Sequence, residues 1–325
     1  MRIAEEGGIT TILSAMETHS SNTRVQHYGC EALCNLAVND NYKETIAEEG
    51  GIPRILYAMK THSSIAKVQH YGCAALWNLA LNENNRMKIA AEKGITTILY
   101  EMKAHSSNEK VQEYGCAALW SLALNDNNNK TIAAEGGITT ILKGMKTHSS
   151  DAKVQMNGCG ALWNLALNDN NKNTIAAEGG INTILNGMKT HASNAKVQVH
   201  GCGALWSLAL DDNYKKTFAA EGGITTILNG MVTHSPNEKV QEYGCAALCN
   251  LAVNNDNNKV AIAEAKGITS ILSAMNNHSS NEKVKEYGCA ALENMYLNES
   301  LALNNQYNKL AIADAGGEAA IESAF

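Results

Sequence analysis

Residues 134–168 read AEGGITTILKGMKTHSSDAKVQMNGCGALWNLALN, and variants of this stretch recur along the whole chain. Its Gly-Gly-Ile, or Lys-Gly-Ile, returns five times at a spacing of 43 residues and once at 44. The isoleucines that end this tripeptide are Ile9, Ile52, Ile95, Ile138, Ile181, Ile224 and Ile268. Self-similarity at such a period is the signature of a repeat protein. The sequence therefore predicts an array of one structural unit.

Each repeat is predicted to hold three helices. A short first helix starts near an acidic residue such as Asp126, which is expected to cap it. The pair Gly136-Gly137 then breaks the chain, because glycine tolerates the backbone reversal between two helices. A second helix follows, with apolar residues at the i, i+3, i+4, i+7 spacing of one buried stripe. A third helix runs from about Lys110 to Leu124 and leaves no room for strands.

One such repeat is too small to bury a sufficient core alone. Stacking on neighbours has to supply the missing burial, so a one-dimensional, all-α solenoid follows.

Composition excludes several classes of protein. The 325 residues include 26 Lys and Arg against 32 Asp and Glu, giving a net charge of −6. Binding to nucleic acid is not expected, because that requires a cationic surface. No apolar stretch has the roughly 18 residues of a membrane helix, so direct membrane insertion is not expected either. Seven of nine cysteines recur in register among apolar residues, which favours reduced thiols and an intracellular, cytoplasmic or nuclear, location.

The period, the short helix before Gly-Gly-Ile and the motif Ala75-Leu76-Trp77-Asn78-Leu79-Ala80 resemble the armadillo repeat family over essentially the entire chain. HEAT repeats, with two helices each, fit the glycine pair less well. The resemblance implies a right-handed α-solenoid (superhelix) of about seven three-helix repeats plus a C-terminal capping helix. A single solenoid over 1–325 is expected, with repeats 1 to 7 at about 1–39 (first helix truncated), 40–82, 83–125, 126–168, 169–211, 212–255 and 256–305 and the cap at 306–325.

The two ends differ from the inner repeats. Glu318 and Glu322 replace core Ile and Leu, as expected for a terminal cap. Met1 enters partway through a first helix, so the chain is either a fragment or has an open N-terminal face that could meet a second copy.

The resemblance further implies that the third helices line a concave groove, in which a ladder of Asn holds the main chain of an extended peptide. An Asn amide can donate and accept at once, so it can fix a backbone without demanding a side chain. Ser at two rungs has less reach. The ladder positions are Asn35, Asn78, Ser121, Asn164, Ser207, Asn250 and Asn294.

Four tryptophans lie one residue before the ladder, at Trp77, Trp120, Trp163 and Trp206. Importin-alpha-like grooves carry Trp four residues before the Asn instead, so recognition of a basic nuclear-localisation peptide is not supported. Two interpretations remain open: the indoles pack between adjacent third helices, or they form a partly exposed wall of the groove.

A basic residue opens every third helix, at Arg24, Lys67, Lys110, Lys153, Lys196, Lys239 and Lys283. A cationic stripe in a groove could select a partner that is acidic in part. Glutamates flank it in repeats 3, 6 and 7, so the alternative is an ordinary solvated surface. If the stripe acts, repeats 1, 2, 4 and 5 form the acid-binding segment. The candidate groove contacts along the stripe as a whole are Lys67, Lys110, Lys153 and Lys196.

No chemistry of catalysis or metal binding is predicted. A His that closes the second helix and a Cys inside the third do not converge as zinc ligands must, and no phosphate-binding glycine loop follows a strand. No cofactor is expected. Two hypotheses are left: a non-catalytic scaffold that binds an extended peptide, and an architectural protein that self-associates through its terminal repeat faces.

Overall fold

The computed structural model describes residues 7–296, and this part of the chain consists of helices and turns. The first helices are Asp40–Glu48, Glu83–Ala91, Asp126–Ala134, Asp169–Ala177, Asp212–Ala220 and Asp256–Glu264. The second helices are Gly8–Thr18, Gly51–Thr61, Gly94–Ala104, Gly137–Thr147, Gly180–Thr190, Gly223–Thr233 and Gly267–Asn277. The third helices are Thr23–Leu36, Ala66–Leu79, Glu109–Leu122, Ala152–Leu165, Ala195–Leu208, Glu238–Ala252 and Glu282–Tyr296.

The fold is all-α and of the armadillo type, as predicted. By its internal contacts the chain divides into two compact units, Met1–Thr174 and Ile175–Phe325. The first contains repeats 1 to 4 and the start of repeat 5, and the second contains the rest. One continuous solenoid over 1–325 stays a prediction. The proposed cap, with Glu318 and Glu322, and the truncated start at Met1 lie outside the described residues.

The two glycines at the start of a second helix serve different purposes. Gly136 has φ +77°, a left-handed conformation that side chains disfavour. Gly137 has no such backbone, but a Cβ there would lie 2.6 Å from the carbonyl oxygen of Ile132. The first glycine turns the chain, and the second lets the second helix approach the first. Lys93 takes the left-handed position in repeat 3, at φ 59°.

Asparagine caps two of the helices in repeats 3 and 4, and one of these caps corrects a prediction. The third helix of repeat 3 is capped by Asn108, whose Oδ1 accepts from Val111 N at 3.1 Å. In the first helix of repeat 4 the cap is Asn125 and not Asp126: Asn125 Oδ1 accepts from the amides of residues 127 and 128 at 3.1 Å. Asp126 is the first helical residue, where a carboxylate still favours the helix dipole.

Each second helix packs onto the third helix of its repeat. Ile138, Ile141 and Met145 are at most 1% exposed. A Cβ at Gly158 on the third helix would lie 2.5 Å from Met145 Cγ, so this glycine makes the space for the methionine. Six glutamines, at 26, 69, 112, 155, 198 and 241, tie the same two helices together by donating Nε2 to two carbonyls at the end of the second helix.

Histidines connect one repeat to the next. His105 Nε2 lies 2.6 Å from the carbonyl oxygen of Ser63, in the loop of the preceding repeat. The same bond recurs at His62, His148, His234 and His278. These five histidines, each at the end of a second helix, are thus explained by a contact 42 or 43 residues away and not only by their own helix termini.

Candidate functional site

Within each of the two units, the Asn ladder lies along the surface formed by consecutive third helices, which we call the third-helix surface. Asn78, Asn164 and Asn250 each donate Nδ2 to a main-chain carbonyl of the preceding third helix, at 3.0 Å. Those carbonyls belong to Cys34, Trp120 and Trp206. One amide hydrogen is therefore used between repeats, and Asn78 Nδ2 also lies 3.6 Å from Cys34 Sγ. Asn78 and Asn164 are 8% exposed, so only a small part of each residue remains accessible to a ligand.

The other rungs differ in exposure. Asn35 is exposed, since it belongs to repeat 1. Asn294 is half-buried and its Nδ2 lies 3.3 Å from Cys249 Sγ. Ser121 and Ser207 are only 4% and 3% exposed. A short, buried hydroxyl cannot reach a ligand as an amide does, so the two serine rungs interrupt the ladder. A peptide-binding role for any of these residues stays a prediction.

The four indoles of Trp77, Trp120, Trp163 and Trp206 are half-buried. Trp77 lies 6.0 Å from the ring of Tyr114 in the next repeat, and Trp206 lies 6.1 Å from that of Tyr243. A Cβ at Gly160 would approach Trp120 Cδ2 to 2.8 Å, so that glycine admits the indole. The rings of Trp77, Trp120 and Trp206 thus pack against the following third helix and keep part of their surface exposed.

An aromatic column on repeats 1 to 3 was not anticipated from the sequence. His27 and Tyr71 have ring centroids 5.1 Å apart, His70 and Tyr71 4.2 Å, and His70 and Tyr114 5.0 Å. The last two pairs are stacked, with interplanar angles of 15° and 12°. Burial lowers the pKa of His70. The signal was available: only repeats 1 and 2 have adjacent His and Tyr at this point of the third helix.

The basic column is divided by ion pairs. Glu113, which is 4% exposed, binds Lys110 Nζ at 2.6 Å and lies 3.6 Å from Lys153 Nζ. Glu242 binds Lys239 in the same way, at 2.7 Å. Lys67 and Lys196 are exposed, and no carboxylate of residues 7–296 lies within 4.0 Å of either. The carboxylates therefore compete for two of the four candidate cations.

The cysteines are poor nucleophiles. All nine are free thiols, and burial raises the pKa of Cys116 and of Cys202 to about 12. Across residues 7–296 no group of three or more His, Cys, Asp or Glu is placed to hold a metal ion. Within the same residues no helix is both long and apolar enough to cross a membrane.

Comparisons with known proteins agree with this architecture. A family model described as LRRK2 ARM repeat matches residues 3–136 and again 134–315. None of the curated proteins matches the chain. A solved structure titled "A conserved phosphorylation switch controls the interaction between cadherin and beta-catenin in vitro and in vivo" is similar with a TM-score of 0.75 and 19% identity. That match covers 95% of this chain, which spans only 56% of the other.

Designed proteins are similar as well. The designed armadillo repeat protein YIII(Dq)4CqI matches with a TM-score of 0.65 and 16% identity, over 75% of this chain and 99% of its own. The designed armadillo repeat protein YIII(Dq.V1)4CPAF, in complex with peptide (KR)4, matches with a TM-score of 0.63 and 15% identity over the same shares. At these identities the likeness shows the fold alone. The sequence repeats, the helices and the family model, which matches most of the chain, all indicate the same fold. The chain belongs to the LRRK2 ARM repeat family.

Proposed function

We propose that this chain is a non-catalytic scaffold that binds an extended segment of a protein partner along its third-helix surface. The observation that carries the proposal is that Asn78, Asn164 and Asn250 are each held by one hydrogen bond to the preceding repeat. That bond fixes the amide before a ligand arrives, which lowers the entropic cost of binding.

The spacing of the repeats suits such a ligand. Packed helices lie roughly 8–10 Å apart, and an extended chain advances about 3.3–3.6 Å per residue. Two to three ligand residues therefore pass each repeat, so a peptide main chain can meet the ladder in register. A protein of similar fold, YIII(Dq.V1)4CPAF, is described in complex with peptide (KR)4, so peptide binding is within the range of this fold.

Charge favours an acidic segment opposite repeats 1 and 2. Arg24 and Lys67 are exposed there, whereas Glu113 competes for the lysines of repeats 3 and 4. Complementary charge speeds encounter and selects the partner. The nine free thiols favour a reducing compartment, which is consistent with action in the cytoplasm or nucleus.

An alanine substitution with a matched control tests the proposal. Asn78→Ala removes a ladder amide and its inter-repeat bond. Asn85→Ala removes a similar inter-repeat bond, since Asn85 Nδ2 donates to Lys43 O at 2.9 Å, but this residue is fully buried on a first helix. On an array of extended peptides of varied charge, we expect Asn78→Ala to weaken binding at least tenfold and Asn85→Ala to leave it unchanged.

Equal binding by both variants and the wild type would contradict a groove role for the ladder. Light scattering across concentration supplies the second check. Mass that grows with concentration in wild type and in Asn78→Ala alike would favour self-association through the terminal repeat faces instead.

A further inference from the structure

Glu101 on the second helix of repeat 3 departs from the pattern of the array. It is 1% exposed. The corresponding positions of the other repeats hold only alanine or glycine, at Ala15, Ala58, Gly144, Gly187, Gly230 and Ala274. A buried carboxyl in place of a methyl group or a hydrogen is costly unless it is neutral or paired.

Two buried side-chain oxygens of repeats 2 and 3 lack hydrogen-bond partners among the described residues. Glu101 Oε2 has no hydrogen-bond partner among the described residues, and neither has Gln69 Oε1 on the third helix of repeat 2. Gln69 Nε2 is fully used, because it donates to the carbonyls of Met59 and His62 at 3.0 and 2.9 Å. The two oxygens are both acceptors when Glu101 is ionised.

The next pair of repeats shows which way the glutamine oxygen faces. A Cβ built at Gly144 would lie 2.8 Å from Gln112 Oε1, and Gln112 makes the same two carbonyl bonds as Gln69. Gly144 is the counterpart of Glu101, and Gln112 is the counterpart of Gln69. Equivalence of the repeats therefore places Gln69 Oε1 beside the stem of Glu101.

The side chains that could pair with a Glu101 carboxylate are His105, Lys60 and Lys93, and none of them makes a hydrogen bond to Oε2. His105 Nε2, on the same helix, lies 3.6 Å from Oε2 but also 2.6 Å from Ser63 O. The neighbouring elements contribute the thiol of Cys73 and, around a cavity of about 270 Å³, the side chains of Lys60, Lys93 and Tyr100. Burial raises the pKa of Glu101 to about 7.

We propose that Glu101 is a proton-operated link between repeats 2 and 3. As a neutral acid, its carboxyl O–H donates to Gln69 Oε1, so one proton satisfies both buried acceptors. As a carboxylate, it loses that bond and leaves a buried charge facing a second acceptor, which destabilises the junction. This inference goes beyond the proposed peptide binding and does not depend on any ligand.

The direction of the pH effect follows from linkage. The pKa of Glu101 is higher in the folded chain than the 4.5 of a free side chain, so its stabilising contribution is complete below pH 4.5. It is lost as pH rises to about 7, and above that value the loss is constant. Gln69 shares its helix with His70 and Asn78, so the loosened junction is one that positions part of the third-helix surface.

Thermal unfolding of Glu101→Gln tests the effect, because Gln keeps the shape and carries no proton equilibrium. We expect wild type and Glu101→Gln to have similar Tm values at pH 5, and the variant to be several degrees more stable at pH 8. Glu44→Gln, which removes an exposed carboxyl from a first helix, should track wild type at both pH values. A difference between wild type and Glu101→Gln that does not change with pH would overturn the proposal.

A site-resolved titration tests the partner. By ¹³C NMR of the Glu101 carboxyl carbon we expect a midpoint near pH 7 in wild type. Gln69→Met should lower it, because the acid form loses its acceptor, while Gln112→Met removes equivalent carbonyl bonds one repeat later and should leave it unchanged. A wild-type midpoint below 4.5, the sign of pairing with protonated His105, or equal midpoints in both variants would overturn the assignment.

Discussion

Single residues in this chain are explained by contacts at a distance of one repeat. Asn78 donates to a carbonyl 44 residues earlier, and His105 bonds one 42 residues earlier. The local sequence pattern predicts that such residues matter, but it does not show their partners. Glu101 is visible in the sequence as a departure from the repeat, yet its burial and its unpartnered oxygen appear only when neighbouring repeats are packed together.

The residue before each second helix has a left-handed backbone conformation, which predicts how single substitutions there change the free energy of unfolding. Lys93 occupies that position at φ 59°, where glycine stands in several other repeats. Lys93→Gly should raise the free energy of unfolding by up to about 1 kcal/mol, because a side chain there is strained. Gly136→Ala, the converse change, should lower it by about 1 kcal/mol. Chemical denaturation measures the free energy of unfolding of both variants, and changes of the same sign in the two would contradict this explanation.

At the scale of the helix, the prediction from sequence is most accurate where periodicity decides. The i, i+3, i+4, i+7 stripe and the glycine pair locate the second helices, because burial and backbone geometry leave little choice. The first helix was placed one residue late at its cap, since Asn125 and Asp126 are both good caps and the sequence alone does not choose between them. The stacked rings of repeats 1 to 3 depend on the distance between third helices, which no single helix determines.

The packing of the third helices of repeats 3 and 4 is testable through Gly160. A Cβ there would lie 2.8 Å from Trp120, so Gly160→Ala should displace the indole and cost about 1–3 kcal/mol of unfolding free energy. In a Trp120→Leu background the same change should be neutral or stabilising, because alanine favours helix. A double-mutant cycle measures the coupling, and additive effects would exclude the contact.

For the array as a whole, stability is a sum over repeats and the junctions between neighbours. Within the amino-terminal unit, repeat 1 has one described neighbour, and its Asn35 and Tyr28 are exposed, whereas Asn78 and Ser121 of repeats 2 and 3 are buried. Repetition made this arrangement predictable from sequence. The differences between repeats distinguish the residues of the candidate site, and their contacts could be identified only from distances in the structure.

Amide hydrogen exchange should depend on how many neighbouring repeats stabilise each helix. We expect amides in the third helix of repeat 3, Glu109–Leu122, to exchange at least tenfold more slowly than those of Thr23–Leu36 in repeat 1. Peptide-level mass spectrometry at neutral pH measures both segments in one experiment. Equal rates would mean that the amino-terminal unit opens in a single step.

The histidine bonds between repeats have a mechanical consequence. Each imidazole bridges only two consecutive repeats, so in the amino-terminal unit a pulling force passes through the junctions one after another. Elements loaded in series yield first at the weakest member. On the proposed link, ionisation of Glu101 weakens the junction between repeats 2 and 3, so a rise in pH lowers the force at which that junction opens.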